Sequence, residues 1–361
     1  LLGTFITRSG LLTSVHAFAA DPSRGFFILA ILGITVGGAL LLFAFRAPLM
    51  KSEFGFDLIS REILLLSNNV ILVVAAASVF LGTLFPMVYQ AITDDLISIG
   101  PPYFNAIFIP LMALLALLLS IGPYTRWKRT STTYLVQQLG KVALAALVLG
   151  VVLPLLVTRQ ISLPATMAVA IGSWIILAML QDLVNKTANK ATRLKGLRAL
   201  SFSYYGMQMA HMGMAVMLLG VALTSSFSSE RSVLLSPGQD VGLGNYVFRF
   251  DGVASVNGPN YIGEEATFTV FEEGEEIAIL HPQRRIYLAT NTPSTEMAID
   301  AGFLRDLFIT LGERKEGDAW SMTLYVKPFV RWIWLGAIFM TFGGILAAAD
   351  KRYRRLRRKQ T

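Results

Sequence analysis

The stretch Tyr205-Gly-Met-Gln-Met-Ala-His-Met-Gly-Met-Ala-Val-Met217 lies inside an uncharged run, residues 199–229, and carries a histidine, His211, near its centre. The run exceeds the about 20 apolar residues that a helix needs to cross a bilayer. Because backbone polar groups find no partners in lipid, a segment of this kind has to be helical. The stretch therefore predicts a membrane-spanning helix that holds an ionisable ring at membrane depth.

Six further runs have the same character. Hydrophobic residues make up 54% of the 361-residue chain and charged residues 15%, with a mean hydropathy of +0.58. Soluble globular proteins carry about 25% charged residues, so this composition excludes that class, and it also excludes disordered, collagen-like and coiled-coil chains. The sequence predicts a polytopic α-helical membrane protein with about seven transmembrane helices. The predicted spans are 26–45, 63–93, 96–125, 142–158, 160–181, 199–229 and 332–349.

Lysine and arginine are distributed unevenly among the segments that connect these runs. Leaving aside the long segment 227–330, eighteen of them lie in one alternate set of segments and three in the other. The rich segments are 46–62, 122–130, 185–198 and the tail after residue 350, and the poor ones are 1–25, 91–103 and 159–162. Because basic loops stay in the cytoplasm, the C-terminus is predicted to be cytoplasmic and residues 1–25 and 227–330 to lie outside. The net charge of +8 is therefore interpreted as topological, with no nucleic-acid partner and at most a contact between the tail and lipid headgroups.

Residues 230–326 have a different pattern. Short apolar–polar alternations, typical of half-buried strands, are separated by turn signals such as Pro237-Gly238 and Glu273-Gly274. They predict a small antiparallel β extracytoplasmic domain inserted before the last helix. The alternating runs are 246–250, 266–271, 276–280, 285–289 and 321–326. The predicted organisation is an extracytoplasmic loop (1–25), a six-helix membrane domain (26–229), the β-domain (230–326), a last transmembrane helix (327–349) and a basic cytoplasmic tail (350–361).

His211 is the residue most indicative of chemistry. An ionisable side chain at membrane depth indicates function by default, and neutral imidazole is the commonest metal ligand. Gly206, Gly213 and Gly220 recur every seven residues and give the helix a smooth stripe, against which a flat macrocycle or another helix can lie. Two interpretations stay open from the residues alone: a metal ligand, or a histidine hydrogen-bonded to a neighbouring helix.

The chain has two further histidines and no cysteine, so disulfides and thiolate sites are excluded. His16 lies outside the first full span with Arg8 and Arg24 nearby, an arrangement that suits a haem iron ligand with arginines for the propionates. A solvated loop histidine is the simpler interpretation, and the residues alone favour it. His281 lies at a predicted strand boundary, where a structural role is favoured. Motifs for nucleotide binding, serine hydrolysis and zinc proteolysis are absent.

The segment Gly3–Ala19, followed by Asp21-Pro-Ser-Arg-Gly25, closely resembles the signature of the CcmF family of cytochrome c haem lyases. The similarity covers essentially the whole chain. It continues through Ser60-Arg-Glu62, Asn68-Asn69, Gly82–Pro86, Gly100–Asn105, Ala210–Gly213 and Arg284–Tyr287.

The resemblance implies roles for the histidines. His16 corresponds to an axial ligand of haem delivered by the chaperone CcmE. His211 corresponds to one of two transmembrane ligands of a permanent haem b, which reduces the incoming iron so that haem can be joined to the CXXCH motif of apocytochrome c. The resemblance also implies other cytochrome c maturation subunits as partners and a bacterial inner-membrane location.

The family's Trp-rich motif and its first periplasmic and first transmembrane histidines have no counterpart in the sequence. The chain is therefore expected to be a C-terminal half, inactive as a haem lyase by itself. Two other classes stay open: a multi-span transporter, which shares the intramembrane ionisable residue, and an assembly scaffold that binds haem proteins without binding haem. A visible absorption spectrum of the purified protein separates the three.

The loop charges predict the result of a reporter-fusion experiment. Alkaline phosphatase joined after residue 280 is expected to be active, because the β-domain is predicted to lie outside. The same enzyme joined after residue 358 is expected to be inactive. The reverse pattern would contradict the predicted orientation.

Overall fold

The computed structural model describes residues 1–8, 22–49, 55, 57–93, 95, 97–158, 161–188, 193–289, 291–315 and 317–350. They form two compact units, one built from residues 1–115 and 125–132 and the other from residues 116–124 and 133 onward. The helices are α1 (Leu2–Arg8), α2 (Pro22–Arg46), α3 (Arg61–Thr93), α4 (Pro101–Ile121), α5 (Thr132–Thr158), α6 (Leu163–Ala188), α7 (Arg193–Arg198), α8 (Phe202–Phe227) and α9 (Val330–Ala348).

Seven of these described helices, all except α1 and α7, are long and apolar enough to cross a membrane. This confirms the predicted class, a polytopic α-helical membrane protein. The boundaries differ most at α5, which begins at Thr132 instead of residue 142. Gln137, Gln138 and Lys141 interrupt the apolar run there, but they are good helix formers and do not interrupt the helix.

In the first unit, α3 and α4 are in close contact at Gly82. A Cβ added at that position would lie 2.9 Å from a ring carbon of Phe104, so only glycine leaves room for the aromatic side chain. The Tyr103 hydroxyl donates to the Ser78 carbonyl at 3.2 Å. The amide of Lys128 donates to the Glu62 carboxylate at 3.0 Å and ties the segment after α4 to the first turn of α3.

In the second unit, α8 and α9 pack backbone against backbone. A Cβ at Gly213 would lie 2.6 Å from the Gly336 carbonyl oxygen, and one at Gly220 would lie 2.8 Å from the Ile333 nitrogen. Gly343 is equally close, with Ala210 N at 2.7 Å from its added Cβ. The glycine stripe predicted on α8 is thus a helix-packing surface, in which small residues let two backbones approach.

The β-domain is connected directly to this helix pair, since its first strand follows α8 and its last strand precedes α9. Its strands are β1 (Ser229–Leu235), β2 (Asp240–Leu243), β3 (Tyr246–Asn257), β4 (Tyr261–Glu272), β5 (Glu275–Leu280), β6 (Gln283–Tyr287), β7 (Thr292–Glu296), β8 (Ala298–Ala301), β9 (Arg305–Arg314) and β10 (Trp320–Pro328). One sheet has the order β1-β10-β9-β8, and the other has the order β2-β3-β4-β6-β7, with β5 also paired to β4. All of the pairs between these strands are antiparallel.

The two sheets enclose one apolar core. Phe248, Phe250 and Phe268 come from the larger sheet and meet Ile309 and Leu324 from the smaller one, and all five are fully buried. The rings of Phe250 and Phe268 stack with centroids 5.1 Å apart. These observations confirm the small antiparallel β-domain before the last helix.

The α8–α9 contact predicts opposite results for two adjacent glycines. Gly343→Ala is expected to lower the melting temperature of the protein in detergent, because overpacking typically costs about 1–3 kcal/mol. Gly344 is the matched control, since nothing lies within 4 Å of a Cβ added there.

Gly344→Ala is expected to leave the melting temperature unchanged or to raise it slightly, because alanine favours helix over glycine by about 1 kcal/mol. Equal effects of the two substitutions in a thermal melt would show that the close contact does not stabilise the fold.

Candidate functional site

His211 lies in the first half of α8, whose start is capped by Ser201. The Ser201 hydroxyl oxygen accepts a hydrogen bond from the Tyr204 amide at 3.2 Å, as N-capping side chains do. The helix runs unbroken from there to Phe227. Within it, the His211 Nδ1 atom lies 2.8 Å from the carbonyl oxygen of Met207, one turn earlier.

This contact determines which ring nitrogen can act as a ligand. A carbonyl oxygen only accepts, so Nδ1 must carry the proton in the neutral ring. The lone pair then lies on Nε2. Metal-binding histidines commonly have this arrangement, in which a carbonyl orients the ring and leaves the second nitrogen for the metal.

The ring is on the opposite side of α8 from the glycine stripe. At 3.6 residues per turn, Tyr204, Gln208, His211 and Ala215 share one face, roughly half a turn from Gly213. Ala215 packs in the apolar core formed with α6, and α9 covers the glycines. A planar ligand on His211 therefore cannot lie on the glycine stripe, which corrects one of the two uses expected for that surface.

A buried polar cluster lies on the same face of α8, toward the start of the helix. Asp182 of α6 accepts a hydrogen bond from the Tyr204 hydroxyl at 2.8 Å and another from the Gln208 amide at 3.2 Å. Gln208 also donates to the Tyr204 oxygen at 2.6 Å. The Lys186 ammonium lies 3.4 Å from the same carboxylate oxygen and 4.3 Å from the centre of the Tyr204 ring.

The Asp182 side chain is only 8% exposed, so its carboxylate is a buried charge. Its three donors are the Tyr204 hydroxyl, the Gln208 amide and the Lys186 ammonium. A buried carboxylate needs such partners, because removing it from water is costly. The sequence alone indicates only a polar residue at the end of a span. The spacing of Tyr204 and Gln208 indicates a polar face on α8 but does not identify Asp182 of α6 as its partner.

The other predicted site residues belong to other segments of the chain. His16 lies outside the described residues. Arg8 ends α1, and Arg24 lies in the first turn of α2. His281 lies between β5 and β6 with its ring half exposed, 3.4 Å from the Thr267 hydroxyl and 3.9 Å from the Glu265 carboxylate, which fits the structural role expected for it. Within the part of the chain that the structure describes, no three metal-binding side chains of the His, Cys, Asp and Glu types come together.

Comparison with protein-family models matches residues 226–328 to the CcmF C-terminal β-sandwich. Relatives match over nearly the whole chain. The cytochrome c-type biogenesis protein CcmF of Pseudomonas aeruginosa is 49% identical over 354 residues, which is 98% of this chain and 54% of the relative. The CcmF protein of Escherichia coli K12 is 43% identical over 355 residues, which is 98% of this chain and 54% of the relative.

A third relative, the cytochrome c-type biogenesis protein NrfE of Haemophilus influenzae, is 34% identical over 361 residues, covering all of this chain and 55% of its own. Among solved structures, the cytochrome c heme lyase CcmF matches with a TM-score of 0.72 at 23% identity and covers 93% of this chain and 52% of its own. The chain thus spans about half the length of these proteins.

The polar cluster predicts a large effect for one carboxylate. Asp182→Ala is expected to lower the melting temperature in detergent, because it leaves the buried donors of Tyr204 and Gln208 with one acceptor fewer. A buried donor left without a partner costs about 1–3 kcal/mol.

The matched control is Asp240→Ala in the β-domain, where the Asp240–Arg249 pair is about half exposed on both sides. An exposed pair of this kind contributes little, so the control should melt close to the original protein. An unchanged melting temperature for Asp182→Ala would show that the cluster does not stabilise the packing of α6 against α8.

Proposed function

The chain belongs to the CcmF family of cytochrome c-type biogenesis proteins, and we propose that it handles haem during cytochrome c maturation. In this proposal, haem from the chaperone CcmE is received outside the membrane and joined to the CXXCH motif of apocytochrome c. The reaction class is that of a cytochrome c synthetase, or haem lyase. Since the chain spans about half of its relatives, the lyase activity belongs to the full-length protein, and the chain by itself is expected to be inactive.

The observation that carries the proposal is the His211 ring in a membrane-length helix. Its Nδ1 is held by the Met207 carbonyl at 2.8 Å, which directs the lone pair of Nε2 away from the helix backbone. An imidazole in this state is a ligand for haem iron. We assign His211 as one axial ligand of a haem b within the membrane.

The residues present fit one half of such a site. The remaining histidines of the sequence are His16 and His281, and neither belongs to a predicted span. A second transmembrane histidine, as a bis-histidine site needs, therefore has to come from outside these 361 residues. When bound, a haem b would supply the electron that reduces the iron of the delivered haem. His211 would hold its iron, the Met207 carbonyl would orient the ligand ring, and the apolar helices would keep water away.

His16 is assigned to the haem in transit, which is a substrate. It lies within the segment that resembles the family signature, and Arg8 and Arg24 flank it in sequence as cations for the propionates. An open site suits a group that must be passed on.

The orientation follows from the loop charges. The basic tail lies in the cytoplasm, and residues 1–25 and the β-domain lie on the outer side of the bacterial inner membrane. CcmE, apocytochrome c and the other maturation subunits are then partners of the outer surface, where His16 is placed.

Two single variants of the full-length protein test the division between the histidines. His211→Ala is expected to remove the reduced b-type absorption band of the purified protein, and His211→Gly to lose it and regain it with added imidazole. His16→Ala is expected to keep the band and to abolish covalent haem attachment to apocytochrome c. Both outputs, haem b content and matured cytochrome c, are measured for each variant.

His281→Ala is the control and should retain both outputs, since this ring is half exposed in the β-domain. An unchanged spectrum for His211→Ala would assign that residue a structural role. Loss of haem b in His16→Ala, or normal maturation by it, would refute the proposed division. A full-length protein that shows no haem absorption and matures no cytochrome c would instead favour a scaffold or a transporter.

A further inference from the structure

The turn between β8 and β9 presents two large apolar side chains that the described residues leave uncovered. Phe303 is 61% exposed and Leu304 is 58% exposed, although they adjoin a well-packed β-domain. Exposed apolar side chains side by side at a loop tip commonly mark an interaction surface. The question is what covers them.

The turn is held rigidly against the start of α9. Gly302 N donates to the Arg305 carbonyl at 2.9 Å and to the Asp306 carboxylate at 3.1 Å, which closes the turn. The Phe329 amide donates to the Leu304 carbonyl at 2.9 Å, directly before α9 begins. Arg331, in the first turn of α9, pairs with Asp306 at 3.4 Å. These contacts fix the height of the turn relative to the helix.

The neighbours of the turn are aromatic residues at the beginning of a membrane-length helix. The Phe303 ring lies 5.8 Å from the Trp332 ring, and Trp332 is the third residue of α9. Trp334 follows and is 70% exposed. Tryptophans concentrate where a spanning helix crosses the headgroup region, because their rings are amphipathic. Phe303 is therefore at the level of the membrane interface.

From this geometry we propose that the Phe303–Leu304 turn inserts into the lipid leaflet in which α9 begins. The occupant is the boundary between headgroups and acyl chains. The turn extends the apolar surface of α9 sideways, beneath the smaller sheet. The turn thus attaches the β-domain to the membrane in addition to the two covalent connections to α8 and α9.

This inference does not depend on haem binding or on which side of the membrane the β-domain occupies. It requires only that α9 crosses the bilayer. Its failure would therefore leave the proposed function untouched.

The experiment uses the absence of cysteine from the chain. Phe303→Cys, and separately Leu304→Cys, are labelled with the environment-sensitive dye NBD in the full chain, reconstituted in phosphatidylcholine nanodiscs. Both positions are exposed, so the substitutions should not disturb packing. The expected result is a blue-shifted emission, quenched by nitroxide-labelled lipid and protected from aqueous iodide.

Leu234→Cys is the matched control. Leu234 is 59% exposed on β1 of the same sheet and pairs with Ser321. Along β10, residue 321 lies roughly 20 Å from residue 327 at about 3.3 Å per residue, toward the end remote from α9. This position is expected to be quenched by iodide, with lipid quenching severalfold weaker than at residue 303.

The proposal is overturned if residues 303 and 304 are as accessible to iodide as residue 234. It is also overturned if all three positions are quenched equally by lipid, since the contact would then not be specific to the turn. A blue shift that is seen only at high protein concentration and is not quenched by the labelled lipid would also overturn it, because the turn would then contact a second copy of the chain.

Discussion

The close backbone contact between α8 and α9 is the constraint on which the second unit depends. Gly213 and Gly336 each face the other helix where a side chain would not fit. Strand β1 begins at Ser229, just after α8, and β10 ends just before α9. Because the two helices are held together, Ser229 pairs with Val326, and the two strands continue from the helix pair as an antiparallel ladder. The Thr224 hydroxyl of α8 donates to the Pro328 carbonyl at the end of β10 at 2.6 Å, which stabilises the junction between the helix pair and the sheet. The β-sandwich is thus built on a helix pair, although its two ends are far apart in sequence.

The contact with α9 leaves α8 with two different faces, one that packs against α9 and one that packs against α6. Because α9 occupies the glycine face, the His211 ring and the Tyr204–Gln208–Asp182 cluster share the other side. Buried polar groups are tolerated only when they are satisfied, and the cluster satisfies its carboxylate with two neutral donors and one ammonium. His211 satisfies its Nδ1 with a carbonyl of its own helix, and we propose that its Nε2 binds a ligand.

Much of the fold could be predicted from local pattern, and what could not is explained by particular residues. Uncharged runs determine the seven helices, and alternation at Phe248 and Phe250 indicates β3. Strand β9 escapes such analysis because Phe308, between the buried Leu307 and Ile309, is also apolar and hides the period of two. The identity of the partner on the glycine stripe could not be predicted, since it lies beyond the β-domain in sequence. Depth singled out His211, but the Asp182 cluster needs the packing of α6 against α8, which spacing within one helix does not give.

We propose that the chain handles haem in two ways because its two histidines are expected to lie in different solvents. In this proposal, a porphyrin held at His211 among apolar helices would be retained, because leaving would expose its ring to water at about 25 cal/mol per Å² of apolar surface. A porphyrin at His16 is proposed to stand outside the membrane, where the loss on release is smaller and arginines can hold the propionates without burying them. Tight retention and easy release are incompatible requirements for one pocket. The proposed placement of the two imidazoles in different solvents would meet both requirements with the same ligand chemistry.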